Sequence, residues 1–303
     1  MLIYKYNGVI FMKTLILAHN YQRPEIQERA DYTGDSLKLC QLARDVDCDD
    51  IIFCGVDFMA ETAAILNPDK QVFVPEPLAE CPMAHQVTAD QITTARQAYP
   101  DAAVVSYVNT TAEVKAVSDT VCTSSNAPVI AKALQAPRII FTPDRNLGSY
   151  IRRFTEKEII IVPSGGNCAT HQLLQPEDVL QLKKKHPKAL IAVHPECQAE
   201  VVDMADYVGG TEGILNFVTD STAAEFIIGT ENGMLHRLTQ ETGGKKIFYT
   251  PVYMVCPNMK MNTLESLERV LKEKNEENLI TVDPKIAQKA KRAIDTMFEL
   301  MEK

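Results

Sequence analysis

Although the chain of 303 residues has eight cysteines, none of them form a Cys-x-x-Cys pair. That removes the common zinc-ribbon and thioredoxin-type arrangements. No apolar run approaches the roughly 18 residues that span a bilayer. There is no surplus of basic charge: the net charge is −9, with no basic cluster of the size a polyanionic partner requires. Such a chain lacks the electrostatic footprint for nucleic acid or an anionic membrane surface. Low-complexity tracts are also missing, and 46% hydrophobic content suffices for one large core or two to three smaller ones. Met1 to Met12 is apolar, with one lysine and no small-residue cleavage site. No secretory signal is therefore expected, and a cytoplasmic protein with reduced thiols is. Met12-Lys13, just before Thr14-Leu15-Ile16-Leu17, offers an alternative start.

What the chain does have is a repeat. Three apolar, β-branched runs each end at a proline and lead to a cysteine: Val72–Val74 to Cys81, Ile159–Val162 to Cys168, and Ile247–Thr250 to Cys256. The cysteines stand 87 and 88 residues apart. Other landmarks keep the same phase. His19, Tyr107 and His194 close three apolar runs, followed two residues later by Tyr21, Asn109 and Glu196. Asp31, Asp119 and Asp206 come next, and five residues past each stands a hydroxyl: Ser36, Ser124 and Thr211. The acids Asp57, Asp144 and Glu231 end a further apolar run. Seven residues past each cysteine, at Thr88, Gln175 and Thr263, a closing helix is expected.

A period of this length repeated three times is a supersecondary signal. Apolar strands alternating with helices imply parallel sheets covered on both faces. The expected fold is therefore α/β, with three pseudo-threefold-related three-layer αβα domains over 1–100, 101–187 and 188–277. A C-terminal segment, 278–303, follows. Its stripe Ile286, Ala290, Ala293, Ile294, Met297, Leu300 and Met301 reads as a packing helix, placed against the first domain.

In open parallel sheets, ligands bind at the carboxyl ends of the strands, where every polar landmark here falls. If those ends meet on one axis, three thiols, three hydroxyls and their helix N-termini share one cleft. Helix N-termini favour carboxylates and phosphates, so anion binding does not require a basic protein. Three thiolates can hold zinc or three corners of an iron–sulfur cube. The missing fourth cysteine favours the cube, with one iron left open as a Lewis acid.

Several separate motifs carry a resemblance. Ala18-His19-Asn20-Tyr21-Gln22, Gly34-Asp35-Ser36, Gly55-Val56-Asp57-Phe58-Met59-Ala60-Glu61, Cys81-Pro82-Met83-Ala84 and Tyr107-Val108-Asn109 are followed by Pro143-Asp144-Arg145-Asn146-Leu147-Gly148, His194-Pro195-Glu196-Cys197 and Cys256-Pro257-Asn258-Met259-Lys260. In this order they resemble the quinolinate synthase family, from Leu15 to Lys260. The resemblance implies a condensing and dehydrating transferase of NAD biosynthesis. It would join iminoaspartate to dihydroxyacetone phosphate, with loss of phosphate and water. It implies a 4Fe–4S cluster on Cys81, Cys168 and Cys256. Around the substrates it places His19, Ser36, Tyr107, Asn109, Ser124, His194, Glu196 and Thr211. For proton handling it implies Tyr21, His194 and Glu196, with Tyr107 beside them. A transient contact with the enzyme that supplies iminoaspartate goes with it. Gly210 departs from the pattern, since the family often has serine there, and the segment before Leu15 lacks an expected helix. Other readings are a reductase of isoprenoid diphosphates, which shares three cysteines and a pseudo-threefold fold, or an iron–sulfur or zinc sensor.

Plainer roles are expected elsewhere. Cys40 and Cys54 read as buried small hydrophobes, and Cys48, among aspartates, as an exposed loop thiol. Cys122 and Cys197 fall outside the repeat and are not expected as ligands. His85, His171, His186 and His236 read as surface or structural, with His171 alone a candidate neighbour of the metal centre. Asp57, Asp144 and Glu231 read chiefly as structural caps. Ser36, Ser124 and Thr211 read as helix N-caps that also face ligand. Lys183-Lys184-Lys185 reads as a solvated helix end.

Overall fold

The computed structural model describes residues 4–6, 9–11 and 14–302. The two possible starts, Met1 and Met12, lie outside the described residues. The segment before Thr14 contributes an antiparallel pair, β1 (Tyr4–Tyr6) and β2 (Val9–Phe11). The described residues then form three four-stranded sheets, parallel throughout. The first holds β3 (Thr14–His19), β4 (Tyr32–Gly34), β5 (Asp50–Cys54) and β6 (Gln71–Phe73). The second holds β7 (Ala102–Tyr107), β8 (Thr120–Cys122), β9 (Arg138–Thr142) and β10 (Glu158–Ile161). The third holds β11 (Leu190–Val193), β12 (Tyr207–Val208), β13 (Glu225–Gly229) and β14 (Ile247–Tyr249). Their orders are β4-β3-β5-β6, β8-β7-β9-β10 and β12-β11-β13-β14, one topology three times over.

The central strands are apolar because both faces are covered. In β5, Asp50 to Cys54 are all buried, and β3 is buried from Leu15 to His19. The repeated aspartates fasten strand to strand. Asp31, Asp119 and Asp206 each accept the N–H of Ile16, Val104 and Ile191, at 2.8, 2.7 and 2.8 Å. Each returns its own N–H to the carbonyl of that same residue. The closing helices begin where the spacing placed them. Thr88 and Thr263 form capping boxes with Gln91 and Ser266. Gln175 precedes Pro176, the first helical residue.

The first two units share a core. Phe53, Phe58, Tyr107, Phe141 and Leu147 join one apolar cluster with Ala290, Ala293, Ile294 and Met297 of the C-terminal helix Pro284–Met301. That helix lies mainly on Ala112–Ala116, β8 and Ala127–Ala133, and reaches the first unit at Asp57–Leu66. Its main support is thus the second unit, not the first, because its buried stripe faces the helices that cover β8. The third unit packs around two further clusters, one of which takes in Leu174 and Val179 from the end of the second. Just before the C-terminal helix, Leu279 bridges Phe73 and extends the edge of the first sheet.

Candidate active site

The carboxyl ends of all three sheets open on one cavity, about 800 Å³ of empty space counting its mouth. Every site residue expected from the sequence lines it: His19, Tyr21, Ser36, Cys81, Tyr107, Asn109, Ser124, Cys168, His194, Glu196, Thr211 and Cys256. Cys40, Cys54, Cys122 and Cys197 are buried in the apolar cores instead. Cys48 corrects an expectation. It is only 9% exposed, because the Lys70 ammonium bonds the carbonyls of Ala43 and Val46 and draws that turn onto the core.

The hydroxyls also sit differently from the expectation. Asp35, not Ser36, caps the helix Ser36–Asp45, accepting the Lys38 N–H at 2.8 Å. Gly210 stands at the cap of Thr211–Asp220, and Ser124 lies two residues before the cap Asn126. Each hydroxyl is one position inside the helix or just outside it, so none is consumed as a cap. A Cβ at Gly210 would come within 2.5 Å of Ser124 Oγ and 2.7 Å of Ser125 Oγ. A serine there would have to displace both hydroxyls, so Gly210 and this serine pair belong together. The loop carrying Asn109 is held from behind by Lys115, which is fully buried and bonds the Thr110 carbonyl. Thr110 in turn donates to the Tyr107 carbonyl at 2.9 Å.

Two histidines are oriented alike. The Tyr21 N–H donates to His19 Nδ1 at 3.2 Å, and the Glu196 N–H donates to His194 Nδ1 at 3.3 Å. With Nδ1 accepting, each neutral ring carries its hydrogen on Nε2. Burial pushes both toward that neutral form. His19 falls to about 3, chiefly by burial and helped by the Lys260 charge, and His194 falls to about 4, burial outweighing Glu196. Burial and the Glu196 charge push the hydroxyls of Tyr21 and Tyr107 well up, so both keep their protons. Burial opposes the charge on Glu196, but His194, His171 and Tyr107 outweigh it and hold the carboxyl below the usual range. Its Oε1 is buried with no hydrogen-bond partner, ready to accept one from a ligand.

His171 is the main residue whose role the sequence undervalues. It is 1% exposed and stacks on His194 with ring centres 4.7 Å apart. Its Nδ1 lies 2.7 Å from Glu196 Oε2 and 3.1 Å from Cys168 Sγ. A carboxylate only accepts, so the hydrogen is on Nδ1. In the neutral ring Nε2 then accepts from Thr230 Oγ1, 2.9 Å away, and Thr230 accepts from the Tyr21 hydroxyl. Tyr21, Thr230, His171 and Glu196 thus form one hydrogen-bonded chain. Both ring nitrogens of His171 are engaged, so it is not a free metal ligand, although Cys168, His171 and Glu196 are close enough to surround an ion.

The three thiols suit a metal centre. Burial raises all three pKa values, and neighbouring cysteines add to the rise at Cys81 and Cys168. Three partly buried thiols lining one cavity do not ionise together without a cation to share. The backbone N–H groups three residues on, at Ala84, His171 and Met259, act the other way and pull each thiol pKa down. Such donors favour the ionised sulfur. No other cysteine lines the cavity among the described residues.

Fold and site together define a class: a triplicated α/β protein whose three thiols share a small-molecule-sized cavity with an acid–base set. The family model described as "Quinolinate synthetase A protein" matches residues 9–299. Proteins named quinolinate synthase from Methanoregula boonei, Thermodesulfovibrio yellowstonii and Methanothermobacter thermautotrophicus are 52%, 50% and 48% identical to the chain. These matches cover 94%, 95% and 95% of the chain and 93%, 94% and 94% of those proteins. The chain belongs to the quinolinate synthase family.

Proposed function

We propose that this chain condenses iminoaspartate with dihydroxyacetone phosphate to quinolinate, releasing phosphate and water, as an enzyme of NAD biosynthesis. The observation that carries the proposal is the meeting of Cys81, Cys168 and Cys256 in the same cavity as His19, Tyr21, Tyr107, His194 and Glu196. The thiols would hold a 4Fe–4S cluster, whose iron without a protein sulfur supplies a Lewis acid.

The protein's own groups cover the rest of the chemistry. Ser36 and Thr211 open ten-residue helices, so their hydroxyls and the free N–H groups behind them suit carboxylates or a phosphate. Ser124 and Asn109 add neutral donors on the same wall. The Nε2–H groups of His19 and His194 suit substrate oxygens. Ring formation with two dehydrations needs protons taken from carbon or nitrogen and returned to departing hydroxyls. Glu196 accepts at its unpartnered Oε1, and the chain through His171 and Thr230 connects it to the Tyr21 hydroxyl. The three repeats are proposed as domains over 1–100, 101–187 and 188–277. A cytoplasmic location and brief contact with the source of iminoaspartate accord with this reading. The test is anaerobic incubation of cluster-loaded protein with both substrates. Quinolinate is expected, and its absence from fully loaded protein would overturn the proposal.

A further inference from the structure

One arrangement recurs in all three units and has no part in the proton chemistry above. The acid that follows the third strand of each unit bonds the backbone of that unit's cysteine. Asp57 Oδ1 accepts the Cys81 N–H at 2.8 Å, Asp144 Oδ2 the Cys168 N–H at 2.9 Å, and Glu231 Oε1 the Cys256 N–H at 3.1 Å. The separation along the chain is 24, 24 and 25 residues. The unit with the extra residue carries the longer acid, so side-chain length offsets loop length. A second bond accompanies the first. The carbonyl two residues before each cysteine, at Ala79, Gly166 and Met254, accepts from the N–H of Asp57, Arg145 and Asn232. The backbone leading into each cysteine is thereby fixed at two points to the end of a buried strand.

Helix capping does not account for the pattern. Asp144 does cap its helix, accepting the Leu147 N–H at 2.6 Å. Asp57 makes no such bond, and the second contact of Glu231 is the Gly233 N–H at 2.7 Å. The cap differs between units, whereas the bond to the cysteine is common to all three. The loops are also tied to one another. The Gln86 amide brackets the backbone of Asn167, next to Cys168, at 2.9 and 3.2 Å. Thr170 donates to the carbonyl of Val255, next to Cys256, at 3.4 Å. Asn262 donates to the Gly55 carbonyl, two residues before Asp57, at 2.8 Å.

We propose that Asp57, Asp144 and Glu231 are positioning residues that set the three cysteines for the metal centre before it is built. The proposal rests on the iron–sulfur reading above. The three are not equivalent. Four residues past the cysteine, His85 pairs with Asp57 and Lys260 pairs with Glu231. The corresponding Gln172 turns to Arg145 and Asn146, so Asp144, fully buried, has no cation beside it among the described residues. An amide at 144 strands no cation but has one oxygen for the two N–H groups of Leu147 and Cys168, whereas one at 231 strands Lys260.

The test uses the full chain, reconstituted anaerobically with iron and sulfide. Iron and sulfide per chain are measured, then the rate of iron release to a ferrous chelator. D57A, D144A and E231A are expected to release iron about tenfold to a hundredfold faster than the parent, the usual cost of losing a partner behind a metal ligand. D144N, which can keep only one of the two bonds, should release iron faster than the parent and more slowly than D144A. E231D keeps the charge opposite Lys260 but is one carbon short of the Cys256 N–H, so it should release iron faster. It also serves if the alanine variants do not fold, which circular dichroism of the metal-free proteins shows. Parent-like retention in folded alanine variants and in E231D would overturn the inference and leave the cluster reading intact. So would D144N losing iron as fast as D144A. A parent chain that takes up no iron and sulfide would overturn the cluster reading and the inference with it.

Discussion

At the floor of the cavity each repeat does the same thing. A cysteine follows a strand, its N–H goes to an acid, and the backbone N–H three residues on pulls its thiol pKa down. On the wall, the matched positions diverge. His19, Tyr107 and His194 occupy one repeat position, and Tyr21, Asn109 and Glu196 another. Only the third unit puts a carboxylate there, beside a histidine held neutral by burial. The backbone pattern is kept even where the side chains change: the N–H two residues on meets the histidine Nδ1 at both His19 and His194. Repetition places the groups, and divergence at the placed positions supplies different chemistry.

The largest effect expected from breaking the wall alone comes from Glu196→Gln. Turnover should fall about 10²- to 10⁴-fold, the scale of a lost acid–base group. Iron and sulfide content should match the parent, because the floor is untouched. Thr230→Val, which cuts the link between Tyr21 and His171, should cost about tenfold in the same assay, and Thr230→Ser should restore it. Equal turnover in parent and Thr230→Val would remove the hydrogen-bonded chain from the mechanism.

The smallest effect is on stability against pH. His194 has a folded pKa of about 4 against 6.5 for the free side chain. Between those values the unfolded chain binds the proton and the folded chain does not, so His194 costs stability as pH falls through that window. Asp144, raised to about 8 chiefly by burial and then by Glu196, acts in the opposite sense between its free value of 3.8 and 8. The useful quantity is therefore a difference. Metal-free His194→Gln should gain on the parent as pH drops from 6.5 toward 4, by something on the order of 1 kcal/mol or more. Denaturant melts of the two proteins that stay parallel across that range would contradict the placing of a neutral His194.

The strands, the shared cleft and the three cysteines are legible from the amino-acid order alone, because triplication preserves spacing. The same repeat hides what triplication does not preserve. His171 matches Ala84 and Met259 in the other units, and Thr230 matches Val56 and Pro143. A search for recurring polar residues passes over both. The expectation for Ser36 and Thr211 errs by a single step, since the difference between a cap and the first helical residue lies in backbone angles at Asp35 and Gly210 rather than in residue type. The acidic neighbours of Cys48 in sequence suggest exposure, whereas its surroundings are set by Lys70, far along the chain.

The central claim is that three thiols, one from each repeat, make one metal centre. The direct measurement is iron and sulfide per chain in anaerobically reconstituted Cys81→Ala, Cys168→Ala and Cys256→Ala, beside Cys54→Ala and Cys122→Ala. The account predicts that each of the first three loses the cluster while the last two, altered only in the apolar cores, load as the parent does. A full cluster in any of the first three would contradict it.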